Sequence, residues 1–209
     1  MSLDLTWQPS LLDAGDEPAV DEAFSGAERI WLDRKSWIER VPGWVSGSDA
    51  LFAHLVRTAD WGQRTRRMWD SQVLEPRLTS WWGAETGKPL EPPLLERMRQ
   101  ALCARHGVEF DSMGLNLYRD GRDSVAWHGD TKGRSSRFDT MVAIVSFGAP
   151  RPLLLRPRGG GASLRYPLGH GDLIVMGGSC QRTWEHAVPK TARPVGPRVS
   201  VQFRPVGVV

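Results

Sequence analysis

Apolar residues recur at helical spacing twice in the first half of the chain and then give way to short alternating runs. In "SDALFAHLVRTADW", starting at Ser48, the residues Leu51, Leu55 and Val56 share a face, and Ser48 stands where an N-cap is expected. "EPPLLERMRQALCARHG", starting at Glu91, puts Leu95, Met98 and Leu102 on one face, with prolines at its start and Gly107 at its stop. Both read as scaffold helices. After Gly107 the period shortens. Eight segments of alternating or continuous apolar character follow, at 110–118, 124–130, 139–147, 151–156, 163–167, 172–176, 183–188 and 197–204, separated by Gly, Pro and Asp clusters. That succession predicts a sandwich, barrel or jelly roll. "RPRGGGASLRY" reads as a hairpin with a flexible tip. The chain is mainly β with flanking helices (α+β).

The 209 residues suffice for one domain with a large core and no covalent staples. Residues 10–28 are acidic and poor in large apolar side chains, so 1–45 reads as a partly loop-like extension and 46–209 as the domain proper. Cys103 and Cys180, the only cysteines, fall in a helical pattern and a turn and suggest neither a disulfide framework nor a zinc cluster. With no signal-like segment and no apolar run near the ~18 residues that span a bilayer, the expectation is a soluble cytoplasmic monomer with no membrane partner. The net charge of +3 hides an asymmetry. Residues 1–30 hold seven acids against Arg29, or −6, leaving 26 basic against 17 acidic side chains, or +9. A body that basic favours a polyanion such as nucleic acid, although many proteins as basic bind none.

Period two then sorts the polar residues. "LNLYR" puts Asn116 and Tyr118 on one face of a strand, "AWHGD" puts His128 and Asp130 together, and "RVSVQFR" aligns Arg198, Ser200, Gln202 and Arg204 opposite Val199, Val201 and Phe203. Any one such strand is equally well a solvent-facing sheet. Three in one jelly roll can line a cavity, where charges need partners or a metal. His128 and Asp130 with one further histidine would form a 2-His-1-carboxylate face, which suits non-haem Fe(II) with open positions for a cosubstrate and O2. His54 and His106 lie in the helical segments and read as surface or cap residues. His170 competes through a second "HGD" at 170–172, but "PLGHGDLIVM" reads as a turn before an apolar strand. His186, in "TWEHAV", is the chosen third ligand. Arg198 and Arg204 are six residues apart, roughly 20 Å along a strand, too far to grip one carboxylate. Leaning inward, they could hold the two ends of a short dicarboxylate, since the guanidinium fork matches carboxylate geometry; the plain alternative is a pair of surface arginines.

Six segments occur in an order that resembles the AlkB family of Fe(II)- and 2-oxoglutarate-dependent dioxygenases, in the branch of the human DNA-repair homologues. They are "PRLTSWWG" (76–83), "FDSMGLNLYRDGRDSVAWHGD" (110–130), "VSFGAPR" (145–151), "HGDLIVM" (170–176), "WEHAVPK" (184–190) and "PRVSVQFR" (197–204). The resemblance covers roughly residues 40–206. It implies a double-stranded β-helix (jelly roll, cupin-like) with iron on His128, Asp130 and His186. It also implies 2-oxoglutarate held by Asn116, Tyr118, Arg198 and Arg204. Arg198, helped by Tyr118, takes the distal carboxylate, Arg204 and Asn116 lie nearer the metal, and Ser200 and Gln202 lie between. The implied reaction consumes 2-oxoglutarate and O2, releases succinate, CO2 and an aldehyde, and strips an N-alkyl group from a nucleobase in DNA, with RNA as a further partner. A base must leave its stack to reach such a site. Trp81 and Trp82 would wall the pocket, Trp82 the more strongly by its motif, while Arg77, Lys132 and Arg134 would meet phosphates.

One position departs from the family pattern. Where the DNA-repair relatives commonly carry an acid two residues beyond the aspartate ligand, "HGDTKGR" has Lys132, which cannot accept a hydrogen bond from a base amine. Glu85, Asp123 and Asp139 are the substitutes to consider. The same chemistry on RNA, a protein side chain or a small molecule is therefore a second reading, and a non-catalytic nucleic-acid-binding barrel a third.

Overall fold

A computed structural model describes Leu5 and residues 17–68, 71–130 and 138–205. Strands β1 (Ala19–Val20), β2 (Glu28–Trp31), β3 (Ser36–Val41) and β4 (Val45–Ser46) lead into helix α1 (Ser48–Thr58). The hairpin β5 (Thr65–Met68) and β6 (Ser71–Leu74) precedes β7 (Leu78–Gly83) and helix α2 (Pro93–His106). Then follow β8 (Ser112–Tyr118), β9 (Val125–His128), β10 (Val142–Gly148), β11 (Arg151–Pro157), β12 (Leu164–Leu168) and β13 (Leu173–Gly178). The short helix α3 (Cys180–Thr183), β14 (Trp184–Val188) and β15 (Arg198–Arg204) complete the chain.

Two antiparallel sheets make the jelly roll. The larger has the order β2-β3-β13-β10-β15-β8-β7 and the smaller β12-β11-β14-β9. All eight strands expected after Gly107 form, and the glycine-tipped segment is the β11–β12 hairpin. The central strands of the larger sheet are buried on both faces, which is why β10 and β13 read as continuous apolar runs. Ala143, Val145, Phe147, Leu173, Val175, Val199, Val201 and Phe203 face one core, shared with Leu51, Phe52 and Leu55 of α1 and Leu95, Met98 and Leu102 of α2. Val142, Ile144, Ile174 and Met176 face a second core between the sheets, with Leu153, Leu155 and Trp184. Helices, large sheet and small sheet thus stack in three layers, and the polar face of β15 points into the inter-sheet space.

Three details differ from expectation. The stretch read as partly loop-like contributes β3 to the large sheet, paired with β13 from Leu173↔Val41 to Gly178↔Ser36. Ser48 is the first residue of α1 and not its cap; Gly47 holds that position, and the Ser48 hydroxyl donates to the Val45 carbonyl at 3.2 Å. His106 is not a surface residue. Its buried ring stacks on Trp37 at 6.1 Å and lies 3.7 Å from a carboxylate oxygen of Glu39. Among the described residues, no helix is long and apolar enough to cross a membrane.

Glu39 explains why β3 does not announce itself. Its buried carboxylate pairs with Arg29 at 2.9 Å and Arg105 at 3.2 Å, so a charge sits in a strand that its partners make burial-compatible. Burial pushes this carboxyl up, but the Arg105 hydrogen bond and the charges of Arg105, Arg29 and His106 outweigh it and leave it below the usual range. Burial pushes the His106 imidazole down, opposed by Glu39. Both folded-state values lie below the unfolded ones, so on acidification the unfolded chain takes up protons first. Stability therefore falls as pH drops below about 6.5 for His106, and falls further below about 4.5 for Glu39. A melting-temperature series should show this decline. Glu39→Gln should flatten its acid limb and cost about 3 kcal/mol at neutral pH, the low end for a broken buried pair because both arginines reach solvent. That is roughly 6–12 °C for a chain of this size.

Candidate metal centre and cosubstrate pocket

β9 ends on His128, and β14 brings His186 directly opposite it in register. The imidazole centroids are 4.2 Å apart. Asp130, just past the strand end, turns back so that its Oδ1 lies 3.4 Å from His128 Nε2. One donor atom from each of the three lies within 4.8 Å of the others. His128 Nδ1 is 2.8 Å from the Ala126 carbonyl; since a carbonyl only accepts, Nδ1 carries the proton and Nε2 presents its lone pair to the centre. Burial, reinforced by His128, pushes the His186 imidazole down to about 3, so it is neutral at physiological pH. Burial alone would raise the Asp130 carboxyl; the Arg204 charge outweighs it and holds the group well below the usual carboxylate range. Two imidazoles and one carboxylate converging on a point form a donor set for a divalent metal, and these residues fit Fe(II).

Along β15 the polar face runs away from that point. Arg204 donates from Nε to Asp130 Oδ2 at 2.6 Å and from Nη2 to Gln202 Oε1. Gln202 donates from Nε2 to Ser200 Oγ at 3.0 Å, and Ser200 pairs in register with Asn116. The Arg204 guanidinium crosses the neighbouring strand at Gly114, where an added Cβ would come within 2.9 Å of Nη1. At the far end Arg198 is buried, donates from Nε to Ser146 Oγ at 2.8 Å, and lies 5.2 Å from the Tyr118 ring centroid. Its Nη1 is buried with no hydrogen-bond partner among the described residues. An unmatched buried guanidinium calls for an anion. A dicarboxylate laid between Arg198 and the metal supplies one, so this pocket fits 2-oxoglutarate.

The sequence reading missed Arg151. It starts β11, is buried, and donates to the carbonyls of Asp120, Asp123 and Pro189 at 3.0, 3.0 and 2.6 Å. Its guanidinium lies 5.8 Å from the Tyr118 ring, so two buried arginines flank one tyrosine. The available signal was a charged residue immediately before the apolar run Pro152–Leu155. His170 stands elsewhere: its Nδ1 accepts from the Gly148 amide at 2.7 Å, its Nε2 is 3.2 Å from Asp49 Oδ1, and its ring abuts Phe52 and Phe147 on the helix side of the large sheet.

The expected substrate residues separate. Trp81 pairs with Gly114 and so shares the face of Arg204 and Asn116, with 49% of its surface exposed. Trp82 stands differently. Strand alternation turns it to the opposite face, where it packs against the helix-side core and donates from Nε1 to the Lys88 carbonyl at 2.8 Å. Arg77 pairs with Glu75 at 2.9 Å and reaches the Ser124 carbonyl at 3.4 Å, bracing a turn. Lys132 and Arg134 lie outside the described residues. Of the substitute acids, Asp123 is buried and engaged by Arg119 at 2.8 Å, and Asp139 accepts from Arg182 at 2.7 Å. Glu85 lies in the 3-10 turn Ala84–Thr86.

The model of the 2OG-Fe(II) oxygenase superfamily matches residues 62–204. The alkB homolog 3 dioxygenase of Bos taurus is 34% identical over 219 residues, spanning 95% of this chain and 73% of its own; that of Homo sapiens is 31% identical with the same coverage. The DNA oxidative demethylase ALKBH2 of Mus musculus is 34% identical over 122 residues, spanning 54% of this chain and 51% of its own. The solved structure of OsALKBH1 superposes with a TM-score of 0.59 at 15% identity, covering 85% of this chain and 99% of that one, and so shares the fold. The site and fold are those of a 2-oxoglutarate-dependent oxygenase. Within that class, the chain belongs to the AlkB family. It is an enzyme that uses Fe(II), 2-oxoglutarate and O2, the bound iron supplying oxygen activation coupled to decarboxylation of the cosubstrate.

Arg198→Met should leave the fold intact and weaken 2-oxoglutarate binding roughly 30-fold or more, as expected for losing a buried charge-assisted contact worth about 2–5 kcal/mol. Calorimetry on Mn(II)-loaded protein measures it. Unchanged affinity would move the dicarboxylate elsewhere.

Proposed function

We propose that this enzyme oxidatively removes N-alkyl groups from nucleobases in DNA. The observation that carries the proposal is Trp81. A half-exposed indole stands on the same sheet face as Asn116 and Arg204, beside a groove of about 290 Å³ lined by Asp60, Gln63, Arg64, Thr79 and Ser80. A base taken out of its stack needs an aromatic face to rest on, and an arginine beside that face suits the adjoining phosphate. The +9 balance outside residues 1–30 favours a polyanion. The name of the relative ALKBH2, DNA oxidative demethylase, points the same way.

In this reading the chain's own residues position and the metal reacts. His128, Asp130 and His186 hold the iron, and Arg198 and Arg204 hold the cosubstrate from its two ends. Trp81 holds the base over the open side. Incubation with Fe(II), 2-oxoglutarate and methylated oligonucleotides should release succinate and remove methyl groups, read by mass spectrometry, and His128→Ala should abolish both. Trp81→Ala should weaken oligonucleotide binding about 5- to 150-fold, the range for one base–aromatic stack of about 1–3 kcal/mol. Demethylation of RNA alone would reassign the substrate. Succinate release with every oligonucleotide left methylated would end the nucleic-acid reading.

A further inference from the structure

We infer that Gln181 is a positioning residue for the carboxylate ligand, setting where Asp130 stands before any metal arrives. This rests on the assignment of His128, Asp130 and His186 as the metal centre. Gln181 belongs to α3, the single turn between β13 and β14, and is 1% exposed. Its Oε1 accepts the backbone N–H of Asp130 at 2.9 Å. Among the described residues, its Nε2 finds only a soft partner, Met176 Sδ, at 3.6 Å. The amide borders a core of Met176, Cys180 and Trp184, where a polar group is costly without a good hydrogen bond. The bond to Asp130 is what justifies its burial.

The turn that carries Gln181 is itself fastened. The Ser179 amide donates to the Lys35 carbonyl at 2.9 Å, the Arg158 amide to the Thr183 carbonyl at 2.8 Å, and Arg158 Nε to the Arg182 carbonyl at 2.8 Å. The loop it meets lies flush against it. A Cβ on Gly129 would come within 2.5 Å of the Gln181 carbonyl oxygen and 2.7 Å of Arg158 Nη2, so only glycine allows this approach. α3 therefore sets the path of the chain leaving β9 on one side and feeds directly into β14, which delivers His186, on the other. One four-residue turn ties the second ligand to the third. Arg204 orients the Asp130 carboxylate from its far oxygen, and Gln181 fixes the backbone from which that carboxylate extends. Partners of this kind that hold a ligand from behind typically alter metal affinity 10- to 100-fold when lost.

The test is Mn(II) titration of the full-length, metal-free protein by calorimetry, comparing wild type with Gln181→Met and Gly129→Ala. The methionine keeps the volume and removes the acceptor; the alanine pushes the loop off the turn. Both should bind Mn(II) about 10- to 100-fold more weakly. Gln181→Met should also melt, without metal, within a few degrees of wild type. A merely structural amide would do the reverse, lowering the metal-free melting temperature and leaving affinity alone. Affinity within twofold of wild type in folded Gln181→Met would overturn the inference. If circular dichroism shows that variant unfolded, Gly129→Ala decides by the same criterion. Should wild type itself fail to bind Mn(II), the metal-centre assignment fails, an outcome distinct from the loss of Gln181's role alone.

Discussion

Two guanidinium groups on the inner face of β15, Arg198 buried and Arg204 partly so, set the terms for the rest of the site. Arg204 is matched by Asp130, which draws the metal-binding carboxylate to the head of the strand. Arg198, at the other end, has hydroxyl and ring neighbours but no carboxylate in hydrogen-bond contact among the described residues. A buried charge without a counter-charge is too costly to keep unless something brings one. The strand thus sets one guanidinium beside the carboxylate of the candidate metal centre and leaves the other without an acidic partner among the described residues, with Ser200 and Gln202 between them.

The three-layer architecture makes the arrangement affordable. Val199, Val201 and Phe203 anchor β15 in the helix-side core, so its inner face need not contribute apolar burial and is free to carry polar groups. Close approach does the rest. Gly114 lets the Arg204 guanidinium cross β8, and Gly129 lets the metal-bearing loop lie against α3. In both places the missing side chain is the space that a functional group or its support occupies.

Where expectation and structure part, buried charge is usually the reason. β3 was hidden within an apparent extension because Glu39 and Arg40 break its apolar pattern, and the burial of Glu39 depends on Arg29 across the β2–β3 hairpin and on Arg105 from the distant α2. His106 and Arg151 were misjudged or overlooked for the same cause: polar side chains whose partners are carbonyls, rings and carboxylates from other parts of the chain. Trp82 shows a simpler limit. Adjacent residues in a strand face opposite ways, so of two neighbouring tryptophans one had to leave the pocket, and only the register with Met113 and Gly114 says which.

Local periodicity carried much of this protein. The eight strands after Gly107, the two scaffold helices and the sharing of faces by Asn116 with Tyr118, and by Arg198, Ser200, Gln202 and Arg204, all follow from spacing within a few residues, because a strand or helix fixes side-chain direction by itself. The ordered motifs added the metal and cosubstrate roles by resemblance. Only the tertiary structure decided that His186 lies across from His128 while His170 faces Asp49, that β2 and β3 complete the large sheet, and that Gln181 supports Asp130. Apart from the β2–β3 hairpin itself, each is a pairing between segments separated by tens of residues. Such contacts depend on cross-strand register and layer packing, which no local pattern encodes.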